Sequence, residues 1–454
     1  MHVSINSLIK QGDLEALAKV LNTLSPFEIA DLIANKSEED RSLLFSLLSP
    51  SLASQTFDYL SLHLQRSLLH TLPTMQAVSL LKDLPPDDRT HFLQELPRGV
   101  IEAWVKLLPP DERKLTLKLL GYPIGSVGRL MTPDYLAVKM EWTIEEVLDH
   151  IRAYGHDSET IDVIYVVDDT AKLLDDIKLK DFLFIPRHCK VRDIADNRFV
   201  ALSVYNDDEM AIEAFKEHHR SVLPVVDEKG ILLGIVTIDD VLRLSNQEAT
   251  EDIQHIGGVA ALREPYMQVP FFELMRKRAG WLVVLFLGEM LTATVMVYFE
   301  DEITKAVVLA LFLPLIISSG GNAGSQASTL VIRAMALGEV KLRDGWKVVE
   351  REIFSGLFLG AILGAVGFFR IAIWSLFSNV YGEHSFAIAL TIGLALVGVI
   401  LWGTLSGAIL PLILVRIGVD PAKSSAPLVA TLVDVTGLII YFLIAMVTLK
   451  GTLL

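Results

Sequence analysis

The chain has 454 residues, 52% of them hydrophobic, with a mean hydropathy of +0.45 and a formal net charge of −15. Residues 1–278 hold 44 acidic and 30 basic side chains, whereas 279–454 hold 11 and 10, and the long apolar runs begin only at Gly280. An ordinary soluble enzyme is excluded, a nucleic-acid or anionic-surface binder is disfavoured, and an acidic soluble part followed by a near-neutral membrane part is expected.

The acidic part suits cation binding, and solubility alone would account for it equally. Cys189 is the only cysteine, so no intrachain disulfide is expected, in keeping with a reducing cytosol. The opening MHVSINSLIKQGDLEALAKV lacks a basic region followed by a long apolar core and does not read as a signal peptide.

Leu24, Leu48, Leu72, Leu84, Leu96 and Leu108 fall at multiples of twelve and open the steps LSP, LSP, LPT, LPP, LPR and LPP. Proline in the first helical turn, followed by acids, is a helix start. A helix-plus-turn of this period predicts a short α-solenoid over 1–122, with an irregular helical bundle as the alternative. Residues 123–244 hold one α/β unit twice. YVVDDTAKLLDDIKLKDFL (165–183) matches PVVDEKGILLGIVTIDDVL (224–242), and TIEEVLDHIRAY and DDEMAIEAFKEH precede them as helices.

A linker helix is expected over 245–278, then a membrane domain over 279–454. Five segments, about 281–299, 306–335, 353–377, 386–415 and 426–449, are long enough to cross a bilayer. SSGGNAGSQAS is expected to interrupt the second, since small polar backbone is tolerated at depth only inside protein or beside water. Basic loops (Arg276, Lys277 and Arg278; Lys341, Arg343, Lys347 and Arg351; Arg416 and Lys423) alternate with poor ones such as NVYGEH. The N-terminus is therefore expected in the cytoplasm and the C-terminus outside.

MTP, TIEEVLDHIR, YVVDD and LKDFL together resemble a cystathionine-β-synthase (CBS) domain, so 123–244 is similar to a tandem CBS pair. GGNAGSQASTLVIRA (320–334), DPAKSSAPLVATLVDVTGLIIYF (420–442) and EATEDIQHIGGV (248–259) extend the resemblance, over nearly the whole chain, to the MgtE family of magnesium channels. The implied fold class is multidomain: an all-α solenoid, an α/β CBS pair and an all-α domain of five transmembrane helices. The implied function is a homodimeric, non-enzymatic Mg²⁺ channel of the inner membrane, gated by cytosolic Mg²⁺.

Asp434 is the only residue charged at neutral pH between Lys423 and Lys450. A carboxylate at that depth costs about 2.5–3.5 kcal/mol unless compensated, so it is either paired inside the bundle or part of an ion path. Mg²⁺ sheds water reluctantly, and two such carboxylates across a two-fold axis could hold it hydrated. The resemblance implies a pore of Asp434, Ala430, Asn322 and Gln326. Pro427 is expected to loosen the last helix and free carbonyls, and Gly320, Gly321 and Gly324 permit close helix approach. Glu289 reads as a structural or additional cation contact, and Arg370 as an interfacial snorkelling residue.

The resemblance also implies a cytosolic Mg²⁺ sensor of Asp87, Asp207, Glu209, Asp240, Glu251 and Asp252; a solvated acidic face is the plain alternative. Thr56, His91, His219 and Arg243 stand where acids are expected, which implies fewer sensor sites. A CBS pair can bind ATP, with Lys180, Asp181, Thr237 and Asp240 as candidate ribose contacts, although Asp175 stands where the second copy has Gly234. No Gly-Lys-Ser/Thr phosphate loop or zinc spacing is present. The partners expected are a second copy, the bilayer and divalent cations, not nucleic acid. A cation exchanger using Glu289 and Asp434, and a membrane-tethered sensor without permeation, are the competing readings.

Overall fold

The computed structural model describes all residues except 1–4, 6, 7, 10, 263–265, 268, 378–380, 424 and 454. Met1–Glu248 fall in one compact unit, and Ala249–Leu262 with Val269–Leu454 form another.

From Leu14 to Leu120, the described residues of the first unit form nine short helices: α1 (Leu14–Leu21), α2 (Pro26–Ala34), α3 (Glu38–Ser46), α4 (Pro50–Asp58), α5 (Leu62–Thr71), α6 (Thr74–Asp83), α7 (Pro86–Gln94), α8 (Arg98–Leu107) and α9 (Pro110–Leu120). Each punctuating step becomes a helix start. Ser25 caps α2 in a reciprocal box with Glu28, and Pro26, Pro50, Pro86 and Pro110 occupy first-turn positions that need no N–H donor. Alternate helices stack, α2 on α4, α4 on α6, α3 on α5 and α7 on α9, which is solenoid packing. The twelve-residue leucines supply the core: Leu72, Leu84, Leu96 and Leu108 are buried, and so is Leu60, which shares the period but has no proline step. Arg129 ties the end of the array to the next domain, donating to the carbonyls of Tyr122 and Leu120 and to Gln94.

After α10 (Val127–Leu130) come two copies of one unit. The first has β1 (Ala137–Val138), α11 (Ile144–Tyr154), β2 (Val163–Val167), β3 (Leu173–Lys178) and α12 (Leu179–Leu183). The second has β4 (Leu202–Ser203), α13 (Asp208–His218), β5 (Val222–Val226), β6 (Leu232–Thr237) and α14 (Ile238–Ile256). The sheets have orders β1-β2-β3 and β4-β5-β6, each with one parallel and one antiparallel pairing. Registers correspond, Val163 opposite Lys178 and Val222 opposite Thr237, with bulges at Val166/Val167 and Val225/Val226. Val163, Tyr165, Leu173, Val222, Leu232 and Ile235 form one core shared by both copies.

The linker departs from expectation. It is not one helix across 245–278: α14 ends at Ile256, followed by Gly257 and by Gly258 at φ +71, the left-handed stop that glycine accepts without strain. Residues 263–265 and 268 of the expected linker lie outside the described residues.

The second unit contains α15 (Phe271–Tyr298), α16 (Glu300–Lys305), a 3₁₀ turn Val307–Phe312, α17 (Leu313–Ala336), α18 (Gly345–Ser375), α19 (Ser385–Arg416) and α20 (Ala426–Thr448). Among the described residues, five helical segments are long and apolar enough to cross a membrane: Phe271–Tyr298, Val307–Ala336, Leu342–Ser375, Gly382–Arg416 and Ala426–Thr448. The first starts ten residues before the expected 281, so Arg276, Lys277 and Arg278 lie inside the helix. Lys and Arg are good helix formers, and Pro270 supplies the start. α19 is the hub, packed by α17, α18 and α20, while α15 meets α20 and exposes most of its apolar surface.

Candidate functional site

α17 runs unbroken through SSGGNAGSQAS, contrary to the expected interruption. Its glycines are buried against neighbouring helices. A Cβ on Gly320 would lie 2.6 Å from Val399 Cγ1, and one on Gly324 would lie 2.9 Å from Val429 Cγ1. Tight packing between helices offsets the helix penalty of glycine, about 1 kcal/mol each. The irregular backbone sits earlier, in the Val307–Phe312 turn, where the Tyr441 hydroxyl donates to the Leu309 carbonyl at 2.9 Å. Pro427 also departs from expectation. It lies in the first turn of α20, behind the Ser425 cap, where a missing N–H loosens nothing.

Asp434 lies two turns into α20 and is half-buried. A Cβ on Gly321 would meet Asp434 Oδ1 at 3.2 Å and Ala430 Cβ at 3.3 Å, so Ala430 and Asp434 present one face to the α17 backbone. Ser325 closes the same seam, donating to the Ala426 carbonyl at 3.0 Å. Among the described residues the Asp434 carboxylate accepts no hydrogen bond and meets no cation; the charge acting on it is Glu289 of α15, of like sign. Glu289 itself accepts from Thr292 Oγ1 at 3.4 Å. Asn322 and Gln326 lie one turn apart on α17, both exposed. Arg370 lies 5.7 Å from the Trp374 ring centroid, a cation–π pair near the end of α18.

The soluble part brings two of its six expected sensor acids together. Asp87 and Asp88 occupy the first turn of α7 and Asp240 the first turn of α14, and one oxygen from each lies within 4.8 Å of the others. Asp87 is 5% exposed and its Oδ1 has no partner. Burial, then the charges of Asp240 and Asp88, hold Asp87 well above the usual carboxylate range. Burial pushes Asp88 up to about 7, with Asp58 adding to it. Burial also raises Asp240, against the pull of Arg243.

Arg243, expected to mark a lost acid, is the cation of this cluster. Its Nη1 donates to Asp58 at 2.9 Å and Asp88 at 3.1 Å, and its Nη2 donates to Asp240 at 2.5 Å. One guanidinium thus joins α4, α7 and α14, its planar fork suited to several carboxylates at once. His91 is held down to about 4 by burial and by Arg243. Thr56 is buried in the solenoid, and His219 caps α13 in the left-handed region at φ 50°.

The other four acids lie elsewhere. Asp207 caps α13, accepting from the Glu209 amide at 3.2 Å, and Asp208 beside it is pushed up to about 6 by burial and by Asp207. Glu251 and Asp252 belong to the second unit. Burial and Asp420 raise Asp252, and His255 pairs with Asp420 at 3.2 Å.

Of the candidate nucleotide contacts, Lys180 and Asp181 are exposed on α12, whereas the Thr237 hydroxyl donates to Asp240 at 3.0 Å. Asp175 holds backbone together: its carboxylate accepts from the amides of Asp176, Asp196 and Asn197 at 2.9, 2.9 and 3.1 Å. Gly234, its counterpart, is there because a Cβ would come 2.6 Å from the Thr132 carbonyl oxygen. Sequence reasoning missed Asp58, Asp88, His255 and Asp420. The one local signal for Asp88 is its place beside Asp87 in the first turn of a helix, and nothing local points to Asp58.

Comparison with known proteins reflects the same division. The model of the MgtE divalent cation transporter family matches residues 313–444, that of the MgtE intracellular N domain matches 7–125, and the CBS domain model matches 127–187 and 191–246. The magnesium transporter MgtE of Thermus thermophilus is 36% identical over 452 residues, 99% of this chain and 98% of that one. The MgtE of Bacillus subtilis is 27% identical, with 96% and 95% covered. A crystal structure of the cytosolic domain of the Mg²⁺ channel MgtE in complex with ATP matches with a TM-score of 0.52 and 33% identity, over 54% of this chain and 100% of that one. With such identity along nearly its entire length, a helical N-terminal domain, a CBS pair and five apolar helices, this chain belongs to the MgtE family of divalent cation transporters, as a multi-pass membrane protein.

Proposed function

We propose that the chain is a Mg²⁺-selective channel, a homodimer in the cell (inner) membrane, that admits magnesium down its electrochemical gradient and closes when cytosolic Mg²⁺ is high. One observation carries the reading: Asp434 stands on a close-packed helix seam with no internal cation to neutralise it among the described residues. Asp434, Ala430, Asn322 and Gln326 line the path, and a second copy brings a second Asp434, so that the pair holds hydrated Mg²⁺ through its water shell. A doubly charged ion crossing 100 mV gains about 4.6 kcal/mol, so inward flow needs no ATP hydrolysis, and the protein is not an enzyme.

The division is solenoid 1–122, CBS pair 123–244, linker 245–278 and pore domain 279–454. The alternation of basic and poor loops supports a cytoplasmic N-terminus and an external C-terminus. Asp87 and Asp240, with Asp88, form one sensor site, since three converging carboxylates are a hard-oxygen set. Asp207, Glu209, Glu251 and Asp252 serve further sites on other faces. ATP bound to the CBS pair is supported by the 33% identical cytosolic domain solved with ATP. Lys180 and Asp181 are open to it, whereas Thr237 and Asp240 would first exchange their mutual hydrogen bond.

The test is Mg²⁺ uptake into liposomes under an imposed potential, with internal Mg²⁺ varied. Wild type conducts on voltage alone, and Asp434→Ala and Asp434→Asn lose uptake at least about tenfold, as expected for a transmembrane acid on an ion path. Uptake that requires a Na⁺ or H⁺ counter-gradient would instead establish the exchanger, with Glu289 and Asp434 as coupling sites. No flux at all would establish the tethered sensor.

A further inference from the structure

A cavity of about 860 Å³ opens in the second unit beside the start of α15, and its lining is of two kinds. One wall is apolar: Val259, Ala260, Phe272 and Trp281. The other chemistry is cationic, since Arg276, Lys277 and Lys423 line it against a single carboxylate, Glu273. Lys277 is already engaged, donating to the Ala261 carbonyl at 2.5 Å and fixing the wall segment. The side chains of Arg276 and Lys423 have no hydrogen-bond or ion-pair partner among the described residues, although the Lys423 amide donates to the Asp420 carbonyl at 3.2 Å.

The ring of Trp281 is placed from two directions. Its Nε1 donates to Ser425 Oγ at 3.0 Å, and a Cβ on Gly258 would come 2.6 Å from its Cδ1, so the ring fits only against a glycine. The position is also specific. Arg276 and Trp281 lie in the first turns of the first span, and Lys423 just precedes the last, which is the level where tryptophan and basic side chains meet the headgroups.

A free anion would make no use of the apolar wall. A wholly apolar ligand would strip water from two cations without replacing it. A molecule with a phosphate beside acyl chains satisfies both halves. We propose that this cavity binds one anionic phospholipid, its phosphate between Arg276 and Lys423 and its acyl chains against Phe272 and Trp281. The site rests on the membrane reading of the five spans and not on magnesium conduction.

The test uses the full chain in liposomes carrying either brominated phosphatidylglycerol or brominated phosphatidylcholine. The fluorescence difference between wild type and Trp281→Phe isolates the Trp281 signal. Stronger quenching by phosphatidylglycerol is expected, with each cation worth roughly fivefold in that preference, and Arg276→Glu with Lys423→Glu abolishes it. Where that pair fails to fold by gel filtration, Arg276→Gln with Lys423→Gln replaces it, and the wild-type preference stands as its own test. Equal quenching by both lipids means ordinary annular contact and overturns the site. Absence of quenching means that another copy covers the cavity, and overturns it too. Displacement of the quencher by millimolar inorganic phosphate would reassign the cavity to soluble anions and likewise overturn the lipid site. Flux is not read in this assay, so a failure of the proposed conduction leaves its result standing.

Discussion

Arg243 contacts Asp58, Asp88 and Asp240 with one side chain, and those acids come from three helices. Removing one partner of a part-buried ion cluster leaves uncompensated charge and costs up to about 3–5 kcal/mol. Arg243→Ala is therefore expected to lower the unfolding temperature of the soluble part. Millimolar Mg²⁺ should restore more stability to the variant than to wild type, because a hard divalent ion can stand in for the guanidinium. Equal responses to Mg²⁺ would reject this role. The raised carboxyls make a second expectation. Asp88 at about 7 and Asp176 at about 6, the latter raised by burial against Arg220, keep protons that the unfolded chain has released. Stability from these groups is present below about pH 4 and is lost as pH rises through 6 to 7. Acids held low, such as Glu28 and Glu146, titrate beneath that window. His91, held down to about 4, adds stability over the same rise in pH, so the test compares wild type with Asp88→Asn plus Asp176→Asn: a change in denaturant midpoint from pH 5 to pH 7.5 that is identical in the two would contradict the assignment.

At the scale of elements, the membrane helices are joined through glycine. A Cβ on Gly407 would lie 2.1 Å from the Gly324 carbonyl oxygen, and one on Gly403 would lie 2.6 Å from that of Gly320, both of them backbone atoms that cannot swing aside. α18 meets α19 the same way, with a Cβ on Gly364 only 2.6 Å from the Gly393 carbonyl oxygen. Gly407→Ala should therefore cost at least about 1–3 kcal/mol by overpacking. Gly345→Ala is the control, since its Cβ would meet only Leu412 Cδ1, at 3.6 Å. Thermal scans in detergent should separate the two, and equal losses would refute the backbone-contact argument. Glycine content alone could not say this, because the same residues read equally well as a break.

For the whole molecule, the proposed coupling predicts that Asp87→Ala shifts inhibition by internal Mg²⁺ to higher concentration while uptake at low internal Mg²⁺ stays at the wild-type level. Internal-Mg²⁺ titrations of liposome flux measure this, and an unchanged inhibition curve would remove Asp87 from the sensor. Much of the architecture is legible in the chain itself. The last two spans are expected at 386–415 and 426–449 and occur as Ser385–Arg416 and Ala426–Thr448, each bound within one residue of expectation. The twelve-residue leucine period and the doubled strand pattern likewise become a solenoid and two sheets of matching register. These features depend on near neighbours: an apolar run is long enough for a bilayer or it is not, and a period of twelve sets one helix and one turn. Other features are settled only by tertiary contact. Arg243 and Asp58 are 185 positions apart, Trp281 and Ser425 are 144 apart, and α17 stays helical through its glycines because α19 and α20 press against them. No local pattern encodes which distant backbone or carboxylate a side chain will meet, since that depends on how whole helices pack.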